Sequence, residues 1–138
     1  MSEYTRQAEA FLNCSGTDID IKFDNVVDGF PFSDDTMPHN KYTVTLTRGD
    51  KSYKYPFYDS YNNFKNHKQP TAYDVLSCLQ TYDIDGDMWD FAEEFGYEIK
   101  SEKTYKRVRK IWSECKNQYK ALLDLFGSYF MERLGEIQ

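Results

Sequence analysis

The chain has 138 residues, of which 40% are hydrophobic, and its formal net charge is −6. This length supports one domain with its own core and no need for disulfide bonds. The opening stretch MSEYTRQAEAFL carries acids and no long apolar run, so we expect no signal peptide, no membrane span and a cytoplasmic location.

Cysteine and histidine are too sparse to suggest a catalytic thiol. The three cysteines, Cys14, Cys78 and Cys115, lie next to apolar residues, which predicts small buried side chains in a reducing compartment. His39 and His67 both lie in segments that are predicted as loops. No dinucleotide, P-loop, nucleophile-elbow or HExxH pattern occurs. We therefore predict a protein without catalytic residues or a cofactor, rather than an enzyme.

The first part of the chain predicts a helix followed by a strand. Apolar residues at helical spacing between residues 3 and 13 give one buried helix face, and Gly16 can end this helix. From residue 18 to residue 24 the period changes to two, which predicts a strand with one apolar and one acidic face. The apolar face consists of Ile19, Ile21 and Phe23. Residues 28–40 contain two prolines and are predicted as a long loop.

The segment KYTVTLTRGDKSYKYPFY, residues 41–58, predicts a β-hairpin. If Gly49 and Asp50 form a two-residue turn, large side chains face one another on one side of the two strands. The predicted pairs are Leu46 with Tyr53, Val44 with Tyr55, and Tyr42 with Phe57. Pro56 cannot donate a hydrogen bond to a neighbouring strand, so the second strand is predicted either to lie at the edge of the sheet or to end near Pro56.

The second half of the chain predicts helices. Residues 61–70 are polar and rich in turn-forming residues, so they are expected to connect the sheet to the helices. Thr71 and Asp74 have the spacing of a capping box, which predicts a helix start. An apolar stripe then predicts a long helix of about 25 residues from Ser101, a stop at Gly127 and a short last helix. The stripe consists of Tyr105, Val108, Trp112, Cys115, Tyr119, Leu122 and Phe126.

These elements together predict an α+β fold. Its parts are an N-terminal helix, a small three-stranded antiparallel sheet, and a C-terminal helical half of three to four helices that includes one long helix. We expect a single domain over residues 1–138, with the helix and sheet in residues 1–60 and the helical half in residues 70–138. Because strands and helices are segregated along the chain, a doubly wound parallel sheet is not expected.

The stretch YDIDGDMWDFAEEFGYE, residues 82–98, has some of the spacing of a calcium-binding loop. Such a loop needs glycine at its sixth position for a sharp turn. Counted from Asp83, the glycine stands at the fourth position, Gly86. Apolar residues from Met88 onward follow helical spacing, and a helix there would draw the carboxylates apart. We predict no metal site, and instead expect Asp87 to cap a helix that ends near Gly96.

The same stretch carries more acid than a turn and a helix cap require. Residues 1–98 hold 18 acidic and 8 basic side chains, whereas residues 99–138 hold 5 acidic and 9 basic ones. A solvated acidic surface and a surface for a basic protein partner both fit this pattern, and the 12 tyrosines suit the second. The candidate partner-binding residues are Asp83, Asp85, Asp87, Asp90, Glu93 and Glu94.

A basic run marks the start of the predicted long helix. Its side chains can contact phosphate, or they can stay solvated and pair with neighbouring acids, and the sequence leaves both open. Because the rest of the chain is acidic, we expect no sequence-specific binding of nucleic acid. The run consists of Lys100, Lys103, Lys106, Arg107, Arg109 and Lys110.

Several stretches together resemble a family of small proteins encoded by bacteriophages and other mobile elements. In chain order they are AEAFLNCSGT, QPTAYDVLSCLQTYD, DFAEEFGYE, KTYKRVRKIW and the terminal LGEIQ. Some small proteins of this type inhibit bacterial immunity, anti-CRISPR proteins among them. The resemblance implies a non-enzymatic inhibitor that acts in the host bacterium on a CRISPR effector or another defence nuclease.

The acidic surface suggests how such an inhibitor would work. Its carboxylates and exposed tyrosines would compete with nucleic acid for the Lys and Arg side chains of a basic groove. The alternative is a phage accessory protein or a self-associating module with a different host partner, including a possible homodimer through the long helix.

Overall fold

A computed structural model of the chain describes residues 2–29, 36–80 and 86–134, apart from the side chains of residues 80, 129–131, 133 and 134. The predicted α+β class is confirmed, with an N-terminal helix, a three-stranded antiparallel sheet and a C-terminal helical half. In chain order the elements are α1 (Glu3–Ser15), β1 (Thr17–Asp28), β2 (Pro38–Arg48), β3 (Lys51–Tyr58), α2 (Tyr61–Lys65), α3 (Ala72–Gln80), α4 (Met88–Phe95) and α5 (Glu102–Leu134).

The sheet has the strand order β1-β2-β3, and its central hairpin has the predicted register. Arg48 pairs with Lys51 across the turn, and the three predicted pairs of large residues are all present. These six side chains are all buried: Tyr42, Val44, Leu46, Tyr53, Tyr55 and Phe57. They form the main hydrophobic cluster together with residues of α1, α3 and the C-terminal half of α5. Pro56 lies in β3, which is an edge strand as predicted.

Strand β1 is longer than its alternating pattern predicts. It continues past a bulge near Asp24 and pairs with β2 as far as Asp28 opposite Pro38, so the predicted loop over residues 28–40 is wrong at both ends. Ladder hydrogen bonds to β2 support this extension although its side chains do not alternate. Phe23 is 52% exposed, in contrast to the half-buried Ile19 and Ile21, so the apolar face of this strand is only partly covered.

The segment predicted as a linker contains a short helix. Ser60 is the N-cap of α2, and its Oγ accepts a hydrogen bond from the Asn63 amide at 3.1 Å. The five residues of α2 are too few to show an apolar period, which is why sequence patterns miss it. The predicted capping box before α3 is confirmed, because the Asp74 amide donates to Thr71 Oγ1 at 3.2 Å and the Thr71 amide donates to Asp74 Oδ2 at 2.9 Å.

Helix α5 contains the predicted long helix, the stop and the short last helix. Gly127 has φ 86° and ψ 165°, which interrupts the helical geometry at the predicted position. Arg48 Nη1 donates to the carbonyl oxygen of Phe126 at 2.9 Å, so the hairpin turn caps the helix end before this interruption. Within the described part of the chain, none of the helices combines the length and the apolar character that crossing a bilayer requires.

The apolar stripe of α5 is used for packing within the chain. Its first half contacts α4, and its second half joins the main cluster under the sheet. All seven stripe residues are buried or half-buried. Self-association through this stripe, one of the alternatives suggested by the sequence, would therefore have to displace intramolecular contacts.

Two tyrosine hydroxyls connect the buried face of the hairpin to the helices. Tyr55 Oη donates to the Val75 carbonyl oxygen of α3 at 2.7 Å, and Tyr53 Oη donates to Oε1 of Gln118 on α5. Burial raises the pKa of Tyr53 to about 12, since the ionised phenolate would lose its solvation. Both hydroxyls therefore have hydrogen-bond acceptors, although the rings that carry them lie in the core.

Two of the sequence predictions for cysteine and histidine are wrong. Cys14 is exposed and Cys78 is half-buried, and only Cys115 is buried as predicted. Burial also raises the pKa of the Cys115 thiol. His39 was expected in a loop but lies in β2 with its side chain 1% exposed. Its burial depends on segments distant in sequence, which a local pattern does not reveal.

We predict that Tyr55→Phe lowers the free energy of unfolding by about 1 kcal/mol, because the buried Val75 carbonyl oxygen loses a hydrogen-bond donor while the ring packing is retained. The matched control is Tyr4→Phe on the exposed side of α1, which should change stability by less than about 0.5 kcal/mol. Urea unfolding of both variants measures the difference. Equal midpoints for the two variants would show that the Tyr55 hydroxyl does not stabilise the contact between β3 and α3.

Candidate functional site

The acidic stretch folds into α4, whose start is fixed by two aspartates. Asp87 Oδ1 accepts hydrogen bonds from the amides of Trp89 and Asp90, each at 3.0 Å. Asp90 Oδ2 accepts from the Asp87 amide at 3.0 Å, which completes a capping box. Gly96 ends the helix in the left-handed conformation with φ 74°. The prediction that a helix begins after Asp87 and ends at Gly96 is confirmed.

One face of α4 packs against the first half of α5. Met88, Phe91 and Ala92 are buried, and they form a second hydrophobic cluster with residues of α5. The α5 members of this cluster are Val108, Ile111 and Cys115. The apolar face of α4 thus fixes its orientation, so that the remaining side chains of α4 point to solvent.

The outer face of α4 combines carboxylates with one exposed aromatic ring. Glu93 and Glu94 are exposed, and no hydrogen bond or ion pair engages their carboxylates among the described residues. Trp89 is 56% exposed and precedes Glu93 by four residues, which places the two side chains on the same side of the helix. Phe95 is 43% exposed at the end of the helix, but it follows Phe91 by four residues and its ring centroid lies 4.8 Å from that of the buried Phe91. We refer to Trp89, Glu93 and Glu94 as the outer face of α4.

Sequence reasoning missed the exposure of Trp89. The helical spacing of Met88, Phe91, Ala92 and Phe95 does not include Trp89, and this is the signal that could have placed the indole outside the core. The Trp89 ring makes a tilted contact with Tyr105 of α5, with 5.9 Å between ring centroids.

The six predicted partner-binding residues divide into three groups. Asp83 and Asp85 lie outside the described residues. Asp87 and Asp90 are exposed, but their carboxylates serve the helix cap. Asp90 therefore has a structural role, because its Oδ2 accepts a hydrogen bond from the Asp87 amide. Glu93 and Glu94 remain as exposed carboxylates with no structural role among the described contacts.

The charges after α4 are partly paired with one another. Glu98 Oε2 lies 2.7 Å from Lys100 Nζ, and this contact lowers the pKa of Glu98 and raises the pKa of Lys100. Lys106 Nζ lies 3.3 Å from Glu102 Oε1. Both pairs are exposed, so water and salt screen them. Part of the basic run thus pairs with neighbouring acids, which was one of the two roles expected for it.

The described carboxylates do not converge as metal ligands do. Within residues 2–29, 36–80 and 86–134, no three His, Cys, Asp or Glu side chains come together as a possible metal site. The outer face of α4 can instead attract cationic side chains, because carboxylates accept charge-assisted hydrogen bonds and the indole face attracts cations. An exposed tryptophan among charges is also the residue type that most often dominates a protein interface.

We predict that Gly86→Ala is more destabilising than Gly96→Ala. Both glycines have positive φ, so alanine is strained at either position, by about 1–2 kcal/mol. At Gly86 the added methyl would also overlap the Asp90 carboxylate. At Gly96 no atom of a residue beyond its two chain neighbours lies within 4 Å of the position that the methyl would occupy. The Asp90 side chain must then rotate away and lose its capping bond, which adds about 1 kcal/mol. Chemical denaturation of the two variants measures the difference.

An Asp90→Ala background provides the control for this interpretation. Asp90→Ala removes the two nearest atoms and leaves only Cβ of residue 90, at 3.0 Å, so most of the extra cost of Gly86→Ala over Gly96→Ala should disappear. If the extra cost of Gly86→Ala persists in that background, the contact with Asp90 is not its cause.

Comparison with known proteins does not assign a family or a function to the chain. No family model matches the chain, and neither a curated protein nor a solved structure matches it at a significant level. The function is therefore inferred from the outer face of α4 and from the resemblance noted in the sequence.

Proposed function

We propose that the chain is a non-enzymatic inhibitor that binds the basic nucleic-acid groove of a bacterial defence nuclease, a CRISPR effector in the first instance. The observation that carries the proposal is the exposed Trp89 with Glu93 one helical turn away and the exposed Glu94 next to Glu93, on a helix whose other face is buried. A large exposed ring within an acidic surface suits a partner rich in Lys and Arg.

The proposed mechanism is competition for the basic side chains of the groove. Carboxylates of the outer face of α4 accept hydrogen bonds from groups that would otherwise bind phosphate. Arginine fits this surface better than lysine, because its planar guanidinium can stack on the Trp89 ring while its N–H groups reach a carboxylate one helical turn away. The chain would then block the groove without any chemical step.

Two features support a partner that binds nucleic acid over other basic proteins. The resemblance to small mobile-element proteins implies a target in bacterial immunity. The acidic excess of residues 1–98 also opposes binding of the chain to nucleic acid itself and favours a basic protein surface, and nucleic-acid grooves of proteins are surfaces of this kind. Association should therefore be fast at low ionic strength and weaken as salt is added.

The test is inhibition of DNA cleavage by a panel of purified, guide-loaded CRISPR effectors. We expect the wild-type chain to inhibit at least one effector, and the double variant Glu93→Lys, Glu94→Lys to need about tenfold or more protein for the same inhibition. The matched control is Glu9→Lys, Glu114→Lys, which makes the same change in net charge at exposed positions of α1 and α5. If both double variants lose inhibition equally, the effect comes from net charge and not from the outer face of α4.

A second variant separates the role of the ring from that of the charge. Trp89→Ala removes the ring without changing charge, and it should weaken binding by at least about tenfold, since exposed tryptophans that become buried in an interface act as hot spots. Trp89→Phe should retain part of the affinity. Binding is measured by calorimetry at several salt concentrations. Unchanged affinity in Trp89→Ala, or failure of the wild-type chain to inhibit any effector of the panel, would contradict the proposal.

A further inference from the structure

A buried carboxylate lies at the junction between the sheet and α2. Asp59 directly follows β3 and is 2% exposed. Its Oδ1 accepts hydrogen bonds from the Ser60 amide and from Asn63 Nδ2, both at 2.8 Å. Since Ser60 is the N-cap of α2, the Asp59 side chain is bound to the first turn of this helix.

The main chain of Asp59 is bound to the start of β2. The Asp59 amide donates to the Asn40 carbonyl oxygen at 3.0 Å, and the Asp59 carbonyl oxygen lies 2.7 Å from Nδ1 of the buried His39. Because a carbonyl oxygen can only accept, His39 must carry a proton on Nδ1. We refer to Asp59, Ser60, Asn63, Asn40 and His39 as the Asp59 junction.

The second carboxylate oxygen of Asp59 is the unusual feature of this junction. Oδ2 is buried and has no hydrogen-bond partner among the described residues. An ionised carboxylate needs donors at both oxygens, and leaving one oxygen unsatisfied in the interior is much more costly for the charged form than for the neutral acid. A buried polar atom of this kind requires an explanation, and proton uptake supplies one.

The charged groups near Asp59 act on it in both directions. Asp74 of α3 disfavours a second negative charge, whereas His39 of β2 favours it. Tyr42 of β2 also senses the Asp59 charge, and its own pKa is raised mainly by burial and secondly by Asp59. Burial is the largest cause of the raised pKa of Asp59, ahead of the hydrogen bonds from Asn63 and Ser60 that lower it.

We propose that the Asp59 junction is a proton-dependent latch, in which the neutral carboxyl holds α2 against the end of the sheet and the ionised carboxylate promotes opening of α2. In the closed junction Oδ2 is buried and no described protein group donates to it, so opening of the junction gives an ionised Asp59 access to solvent donors for this oxygen. The latch is independent of the outer face of α4, because it involves β2, β3, α2 and the neighbouring α3.

The sign follows from linkage. A carboxyl with a higher pKa in the closed than in the open junction takes up a proton on closing, so acidification favours the closed state. The effect develops between the raised pKa and the ordinary value of about 3.9 for an open, solvated aspartate. Within that window the equilibrium constant for closing changes by up to about tenfold per pH unit. Outside it the constant does not depend on pH.

The first experiment uses the wild-type chain. The Asp59 carboxyl is followed by carbon-13 NMR as pH is varied, and amide hydrogen exchange is measured at Phe64 and Asn66, whose amides donate within α2. We expect a midpoint above the ordinary Asp range. Protection factors at these amides, corrected for the intrinsic exchange rate, should rise by up to about tenfold per pH unit as pH falls through the window, while amides of the β2–β3 hairpin change less.

Variants then test whether Asp59 is the cause. Asp59→Asn matches the neutral carboxyl in charge and shape, so protection of α2 should no longer depend on pH in this window. Asp74→Asn removes the neighbouring carboxylate and should lower the Asp59 midpoint towards the ordinary value. Asp18→Asn, at an exposed position of β1, is the control and should leave the profile unchanged.

Three results would overturn the latch. They are an ordinary midpoint for Asp59, protection of α2 that does not change with pH in the wild-type chain, and an unchanged pH profile in Asp59→Asn. The wild-type titration decides the matter even if Asp59→Asn fails to fold.

Discussion

The register of the β2–β3 hairpin is the constraint on which the rest of the structure depends. Because side chains alternate across a strand, a shift of one strand by one residue would turn its three buried residues to solvent, away from the three on the other strand. The register also aligns Tyr53 and Tyr55 so that their hydroxyls reach α5 and α3, and it brings Arg48 to the end of the long part of α5. The contacts of two helices, α3 and α5, thus follow from one turn at Gly49 and Asp50.

Helix α4 depends on this framework less directly. Its buried residues contact the first half of α5 in a separate cluster, while the second half of α5 belongs to the main cluster. The acidic residues around α4 therefore lie on a small hydrophobic unit whose start is secured by Asp87 and Asp90. These two aspartates stabilise the helix that presents Glu93 and Glu94, so the same stretch supplies both the support and the charged surface.

Sequence patterns predicted the parts of the fold that depend on local or periodic features. The hairpin register, the capping box at Thr71 and Asp74, and the interruption at Gly127 each depend on residues close together in the chain. The extension of β1 and the burial of His39 depend on partners distant in sequence, and helix α2 is too short to show an apolar period, so no local pattern marks them.

For the candidate site too, only the features that depend on local sequence were predicted. The acidic stretch and its helix were evident from residue types and spacing. Which carboxylates cap the helix and which remain exposed became clear only from the hydrogen bond that Asp90 accepts. The exposure of Trp89 depends on which face of α4 packs on α5, and tertiary contacts determine that face. The buried state of Asp59 had no signal in the sequence, since an aspartate after a strand is ordinarily solvated.

The contrast between the two tryptophans gives the molecule an internal optical reporter. The Trp89 indole is largely in water, whereas the Trp112 indole has a buried Nε1 and the ammonium of Lys116 lies 4.6 Å from its ring centroid. Emission from Trp89 should therefore lie at longer wavelength, and uncharged acrylamide should quench it more strongly than it quenches emission from the half-buried Trp112. A ligand that covers the outer face of α4 would change the emission of Trp89 and leave that of Trp112 unchanged. Binding at that face can therefore be followed by intrinsic fluorescence, without an added label.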